Sequence, residues 1–248
     1  SVEFQSGSEK IVVNTRDKTA LWLGLSNCFS DGKGFALATL NLDHLAKIRN
    51  NPEFAKAYRA HEFVVADGNP IVWLSKLAGQ PVSLMPGADL VVPLATLAAN
   101  AGIKVALVGT TEAALSAAAN TLCEKVPNLK IACQIAPPFG FDPTGSSAQD
   151  ILSELSSKDV GLCFVALGAP KQEIFAAFGR KVAPKVGFAS IGAGLDFLAG
   201  QQSRAPRWVR KLALEWLYRL LSNPRRLIGR YAKSMLIFPG LVWRALRR

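Results

Sequence analysis

The chain has 248 residues, half of them hydrophobic and 19% charged, with a formal net charge of +11. That composition is globular and excludes a disordered chain, and no apolar run reaches the ~18–20 residues that span a bilayer. The charge is unevenly placed: residues 201–248 hold 12 Lys or Arg against the single acid Glu215, while residues 1–200 balance 17 basic against 17 acidic side chains. A neutral body with a cationic, aromatic-rich tail needs an anionic partner.

The start, Ser1-Val2-Glu3-Phe4, shows no basic-plus-apolar signal pattern. Residues 35–40 read as a buried strand, followed by one helical stretch over 43–60. Residues 63–66 form a second short strand that runs into Asp67-Gly68 and an apolar helix. A third strand, 103–108, ends at Gly109-Thr110-Thr111, where a threonine caps an Ala-rich helix over 112–125. Residues 129–135, 160–167 and 186–191 continue the series as apolar runs of the kind buried on both faces. Strand–helix alternation of this kind predicts an α/β fold: an open, mainly parallel sheet with helices on both faces, plus a basic helical C-terminal appendage. The expected division is a catalytic domain over 1–200 and an amphipathic appendage over 201–248.

Cys28, Cys123, Cys133 and Cys163 show no C-x-x-C spacing and read as buried free thiols, which suits a reducing compartment. The isolated His44 and His61 give no metal-binding cluster.

Ligands of such sheets bind at the carboxyl ends of the strands. The residues there are Thr39 and Asn41, Asp67-Gly68, Gly109-Thr110, the stretch Pro137-Pro138-Phe139-Gly140, the stretch Gly168 to Glu173, and Gly192-Ala193-Gly194. Glycines admit close backbone approach and helix N-termini attract phosphate; any one of these glycines can simply end its strand, but six such sites in register with the sheet favour a nucleotide crevice. Phe197 replaces the third glycine of a dinucleotide fingerprint, and no G-x-x-x-x-G-K-[ST] loop occurs. Asp67 is the sharpest candidate, a carboxylate able to take a proton from a substrate hydroxyl; the alternative is a helix N-cap. Thr39 and Asn41 can bind a sugar or phosphate, or start the next helix. Lys171 can face a diphosphate and Gln172 a base or sugar edge; a solvated first helical turn is the alternative for Lys171, Gln172 and Glu173. Asp196, in an apolar run, needs a partner, either backbone amides or a tail arginine. No D-x-D is present to hold a divalent ion against a diphosphate, so cationic side chains or helix dipoles would take the leaving-group charge.

These residues resemble the WecG/TagA/CpsF glycosyltransferases, glycosyltransferase family 26. The matching blocks include Thr39-Leu40-Asn41-Leu42-Asp43-His44, Ala66-Asp67-Gly68, Gly87-Ala88-Asp89-Leu90, Gly168-Ala169-Pro170-Lys171-Gln172-Glu173, the run from Gly192 to Gly200, Arg204-Ala205-Pro206 and Asn223-Pro224-Arg225-Arg226-Leu227. The resemblance implies a Rossmann-like sheet and transfer of a sugar from a UDP-sugar to an undecaprenyl-diphosphate-linked saccharide. It implies inversion at the anomeric carbon, no metal or other cofactor, and a peripheral place on the anionic inner face of a bacterial membrane. Asp67 matches the base and Thr39 its active-site partner. Asn41, Gly68, Asp89, Gly109, Gly168, Lys171, Gln172, Glu173, Gly192 and Asp196 fall on the donor side. Arg204, Arg207, Arg219, Arg225, Arg226 and Arg230 match the segment that closes over the diphosphate and meets acceptor or membrane. Leu84-Met85-Pro86 stands where the family usually has an arginine, which leaves donor identity open.

In the tail, Trp208, Leu212, Trp216 and Leu220 recur at i+4 and are expected to pack partly on the body, the segment beyond Pro224 less so. That later segment, its apolar run 235–243 interrupted by Pro239-Gly240, suits a membrane interface. The competing readings are a nucleic-acid-binding module and a nicotinamide-dependent oxidoreductase. Met235, Leu236, Ile237 and Phe238 suit lipid better than a groove of nucleic acid, and self-association through the tail stays open.

Overall fold

In a computed structural model, residues 1–202, 205–206, 209, 215–222 and 224–247 are described. A hairpin of β1 (Val2–Ser6) and β2 (Glu9–Val13) leads to α1 (Lys18–Ser30). Then follow β3 (Ala36–Leu40), α2 (Leu42–Ile48), α3 (Pro52–Arg59), β4 (Phe63–Ala66), α4 (Asn69–Leu77) and α5 (Gly87–Asn100). The second half runs β5 (Lys104–Gly109), α6 (Glu112–Lys125), β6 (Lys130–Ile135), α7 (Ser146–Ser157), β7 (Val160–Ala166), α8 (Lys171–Val182), β8 (Gly187–Ser190) and α9 (Gly194–Leu198). Two further helices, Glu215–Ser222 and Pro224–Leu246, follow.

The main sheet has six strands in the order β4-β3-β8-β7-β5-β6, and every pairing is parallel. Period-2 alternation sorts its side chains between two layers. Leu37, Val65, Leu107, Leu162 and Phe164 pack on α1, α5 and α6. On the opposite face Ala106, Cys163 and Val165 meet α7 and α8, while Ala38, Leu40, Val64 and Ala66 meet α2, α3, α4 and the hairpin. After β3, β4 and β7 the chain turns to this second face; after β5 and β8 it turns to the first. Those turns diverge at the carboxyl edge, which is where open α/β sheets bind ligands in a crevice.

The expected α/β sheet is present, with four corrections in detail. The helical stretch 43–60 is two helices, because Asn51 accepts the Phe54 N–H at 2.9 Å and Pro52 has no N–H to continue the first one. Strand β6 is not buried on both faces: it is the sheet's edge and no residue of it is fully buried. The hairpin, α1, α5, α7 and α9 had no counterpart among the expected elements. Of the cysteines, all free, only Cys163 is buried; Cys28 and Cys133 are half-buried and Cys123 is exposed. Elsewhere the local signals hold: Thr111 caps α6 by accepting the Ala114 N–H, with Glu112 in its first turn and Lys125 in its last.

The tail also differs from expectation. The helix Pro224–Leu246 is continuous through Pro239 and packs on α2 and α4. Ser234, Leu241 and Ala245 are buried, so the segment beyond Pro224 does join the core. Arg244 donates to the Gln5 carbonyl at 2.9 Å and the Arg247 guanidinium lies 3.5 Å from the Trp243 ring centre. Its outward side keeps Ile228, Met235, Leu236, Trp243 and Leu246 exposed. Trp208 and Leu212 lie outside the described residues, as does the Trp216 side chain.

Candidate active site

The first wall of the crevice is the end of β3 and β4. Thr39, 3% exposed, pairs in register with Val65, and the Leu40 carbonyl accepts the Asp67 N–H at 2.7 Å. Asp67 therefore leaves the sheet at a fixed height, half-buried, one residue before Gly68. Gly68 is the N-cap of α4 at φ 104°, a conformation open to glycine, and supplies no side chain to cap that helix. The segment after α4 runs beside this wall: Leu84 bridges Ala66, and Met85 N–H donates to the Ala66 carbonyl at 2.8 Å. Leu84 is thus an exposed apolar side chain at the edge of the Asp67 wall. The Arg16 carbonyl accepts the Ser83 N–H, and Lys47 pairs with Asp43 at 2.9 Å while donating to the Ala169 carbonyl.

Asn41 is spent locally, since its side-chain oxygen accepts the His44 N–H at 2.9 Å and starts α2. That cap positions His44 and Tyr58, which spacing alone did not mark. Tyr58 is 1% exposed; its hydroxyl donates to the Thr39 carbonyl at 3.2 Å and lies 2.6 Å from His44 Nδ1. With its one proton on Thr39, the hydroxyl accepts from His44, which assigns the Nδ1–H form to that ring. Burial, with Glu173, Asp67 and Asp43 nearby, drives the Tyr58 phenol well above its ordinary pKa, so it stays protonated.

The facing wall belongs to α8 and the turn after β8. Gln172 and Glu173 are 1% and 0% exposed, which rules out a solvated first turn for both. Gln172 Nε2 donates to Glu173 Oε1 at 2.8 Å, and its own carbonyl accepts the Gly192 N–H at 3.2 Å. Burial pushes the Glu173 carboxyl up to about 7. Lys171 is exposed and its ammonium holds the Phe141 carbonyl at 2.8 Å, fixing the loop over 137–141. Among the described residues Asp196 has side-chain partners, accepting from the Thr110 hydroxyl at 2.7 Å and from Gln202 at 3.2 Å; Arg204 and Arg207 lie outside the described residues.

The glycines divide. Gly168 and Gly192 stand at the open edge, at φ 71° and 57°. Gly109 is buried, and a Cβ there would lie 2.3 Å from the Ala166 carbonyl oxygen, so it serves the close approach of β5 to β7. Asp89 is exposed in the first turn of α5, whose Gly87 packs on Ile191 beyond β8. Arg204 and Arg207 lie outside the described residues. Arg219 falls in the helix Glu215–Ser222, and Arg226 and Arg230 in the last helix, but their side chains are likewise outside the described set; Arg225 is exposed. Among the described residues no group of three or more His, Cys, Asp or Glu is placed to share a metal ion. No helix among them is long and apolar enough to cross a membrane.

A parallel α/β sheet with a half-buried carboxylate and positive-φ glycines at its carboxyl edge has the arrangement of a ligand-binding α/β fold. The chain belongs to the "Glycosyl transferase WecG/TagA/CpsF family", whose model matches residues 11–248. It is also 28% identical over 196 residues to an "N-acetylglucosaminyldiphosphoundecaprenol N-acetyl-beta-D-mannosaminyltransferase" of Bacillus spizizenii, covering 78% of this chain and 74% of the relative. The protein is thus a glycosyltransferase, which decides against the nucleic-acid and oxidoreductase readings.

Proposed function

We propose that the protein moves a sugar from a UDP-sugar to a saccharide linked to undecaprenyl diphosphate, with inversion at the anomeric carbon. The observation that carries the reading is Asp67: a half-buried carboxylate, fixed by the Leu40 carbonyl, at the carboxyl edge where the two layers of helices part. In a single displacement Asp67 removes the acceptor hydroxyl proton as the oxygen attacks the anomeric carbon. The bond to UDP breaks on the opposite side, and the diphosphate leaves with the electron pair. The relative's name supplies the acceptor class; the family supports the nucleotide-sugar donor. The tail arginines Arg219, Arg226 and Arg230 stabilise the leaving diphosphate in this reading.

With a lipid-linked acceptor the enzyme works at a membrane surface, in this reading the inner face of a bacterial membrane. The outward side of the last helix fits that place: Leu236, Trp243 and Leu246 form an exposed apolar strip flanked by Lys233, Arg244 and Arg247. Each basic residue at an anionic surface adds about 1 kcal/mol. In this division residues 1–200 carry catalysis, and residues 201–248 complete the site and hold the surface.

The test is turnover of a panel of UDP-sugars with a short-chain lipid-diphosphate sugar. Asp67→Asn keeps UDP-sugar binding and loses about 10²–10⁴-fold in kcat, the span of general-base catalysis. Wild-type turnover in that variant removes the base assignment; no turnover of any UDP-sugar by the wild type removes the donor class.

A further inference from the structure

Glu173 has no part in the displacement just described, yet it is the most completely enclosed acid of the crevice. Its side chain is 0% exposed and its Oε2 has no hydrogen-bond partner. Its Oε1 accepts from the Gln172 side chain at 2.8 Å and lies 3.9 Å from His44 Nδ1, which is already engaged with Tyr58; the other hydrogen bond to the carboxyl comes from its own backbone N–H.

Two chains of contacts meet at this carboxyl. One runs through the Gln172 amide to the Gly192 N–H, the turn beyond β8. The other runs through His44 and the Tyr58 hydroxyl to the Thr39 carbonyl, one residue before the carbonyl that holds Asp67. The walls of the crevice are therefore joined through one side chain.

We infer that Glu173 is a positioning residue that works as a neutral carboxylic acid, setting the Gly192 turn and the Thr39–Asp67 wall at a fixed separation. A fully buried carboxylate with one oxygen left without a partner is poorly stabilised, whereas the protonated group needs no counter-charge. His44 and Lys47 of α2, Tyr58 of α3 and Gln172 of α8 stand around it, and Asp43 and Asp67 lie near Tyr58. Among the described residues Lys47 is the fixed positive charge that acts on it, and that charge is shared with Asp43. Loss of the Glu173 proton would pull the His44 Nδ1 proton towards Oε1, away from Tyr58, and release the Thr39 carbonyl from its anchor. Ionisation thus loosens the wall that carries the base.

The kinetic arm rests on the transferase reading; the exchange arm does not. In the wild type, kcat falls as pH rises through the neutral range. Glu173→Gln, which keeps the neutral shape, holds kcat within about threefold at pH 6 and lacks that fall. Glu173→Ala loses at least about tenfold in kcat at every pH, with KM changed little. Amide exchange, measured without ligand, speeds up in Glu173→Ala at Gly192 and at 67–69, with α6 unchanged. An unaltered alkaline fall in Glu173→Gln, or wild-type exchange at both segments in Glu173→Ala, overturns the assignment. A wild type without turnover counts against the donor or acceptor class, and exchange alone then decides on Glu173.

Discussion

Removing one oxygen from Tyr58 tests the buried frame under the active site. In Tyr58→Phe the ring keeps its packing against His44 and Phe54, with centroids 6.0 and 5.2 Å away. The hydroxyl's two bonds vanish, at 3.2 Å to the Thr39 carbonyl and 2.6 Å to His44 Nδ1. Each buried group stripped of its partner costs about 1–3 kcal/mol, so the loss is about 2–4 kcal/mol after some rearrangement of His44 towards Glu173. Against a total stability of about 5–15 kcal/mol this is a large share. Urea unfolding should show a lower midpoint with an unchanged slope. Activity should fall too, because the Thr39 carbonyl adjoins the peptide that holds Asp67. A midpoint within about 0.5 kcal/mol of wild type would refute the view of Tyr58 as a hub, since surface changes of no consequence have that size.

Gly109→Ala should destabilise by at least about 2 kcal/mol, because its Cβ would overlap the Ala166 carbonyl at a backbone φ of 130°; thermal unfolding measures it. Two buried groups give stability opposite pH slopes. His61, lowered from 6.5 to about 4 by burial, contributes stability that is complete above 6.5 and is lost as pH falls through 4. Glu173, raised from 4.5 to about 7, contributes stability that is complete below 4.5 and is lost as pH rises through 7, an effect of about 3 kcal/mol. Glu173→Gln should remove the alkaline slope alone and His61→Gln the acid slope alone, as read by urea midpoints between pH 4 and 8. Leu236→Glu with Trp243→Glu should weaken binding to anionic liposomes while leaving the fold, because both side chains are exposed; undiminished sedimentation with liposomes would place the membrane contact elsewhere.

The succession of the main sheet's strands along the chain and the residues at their ends were legible in the chain itself. Short β-branched runs alternating with helical periods leave a parallel sheet as the way to bury them, and Asp67, Thr39 and Gly192 fall at its carboxyl edge for that reason. The Thr111 cap of α6 was likewise readable, because a cap is a contact within four residues. The hairpin was not: Val2, Phe4, Ile11 and Val13 alternate over too few residues, among charges, to stand out before a core exists for them.

What the sequence by itself determined is local: which segments are apolar, where each turns, and which carboxylate ends a strand. The tertiary structure decided which polar groups are dry. Gln172 and Glu173 look like a solvated helical start until β8 and α2 close over them, and the tail past Pro224 looks peripheral until Leu241 and Ala245 meet the hairpin core. Lys171 gains a partner that its neighbours in sequence do not show, because the loop over 137–141 brings the Phe141 carbonyl to its ammonium. Burial and partnership are sums over segments far apart in the chain, so no window of sequence carries them.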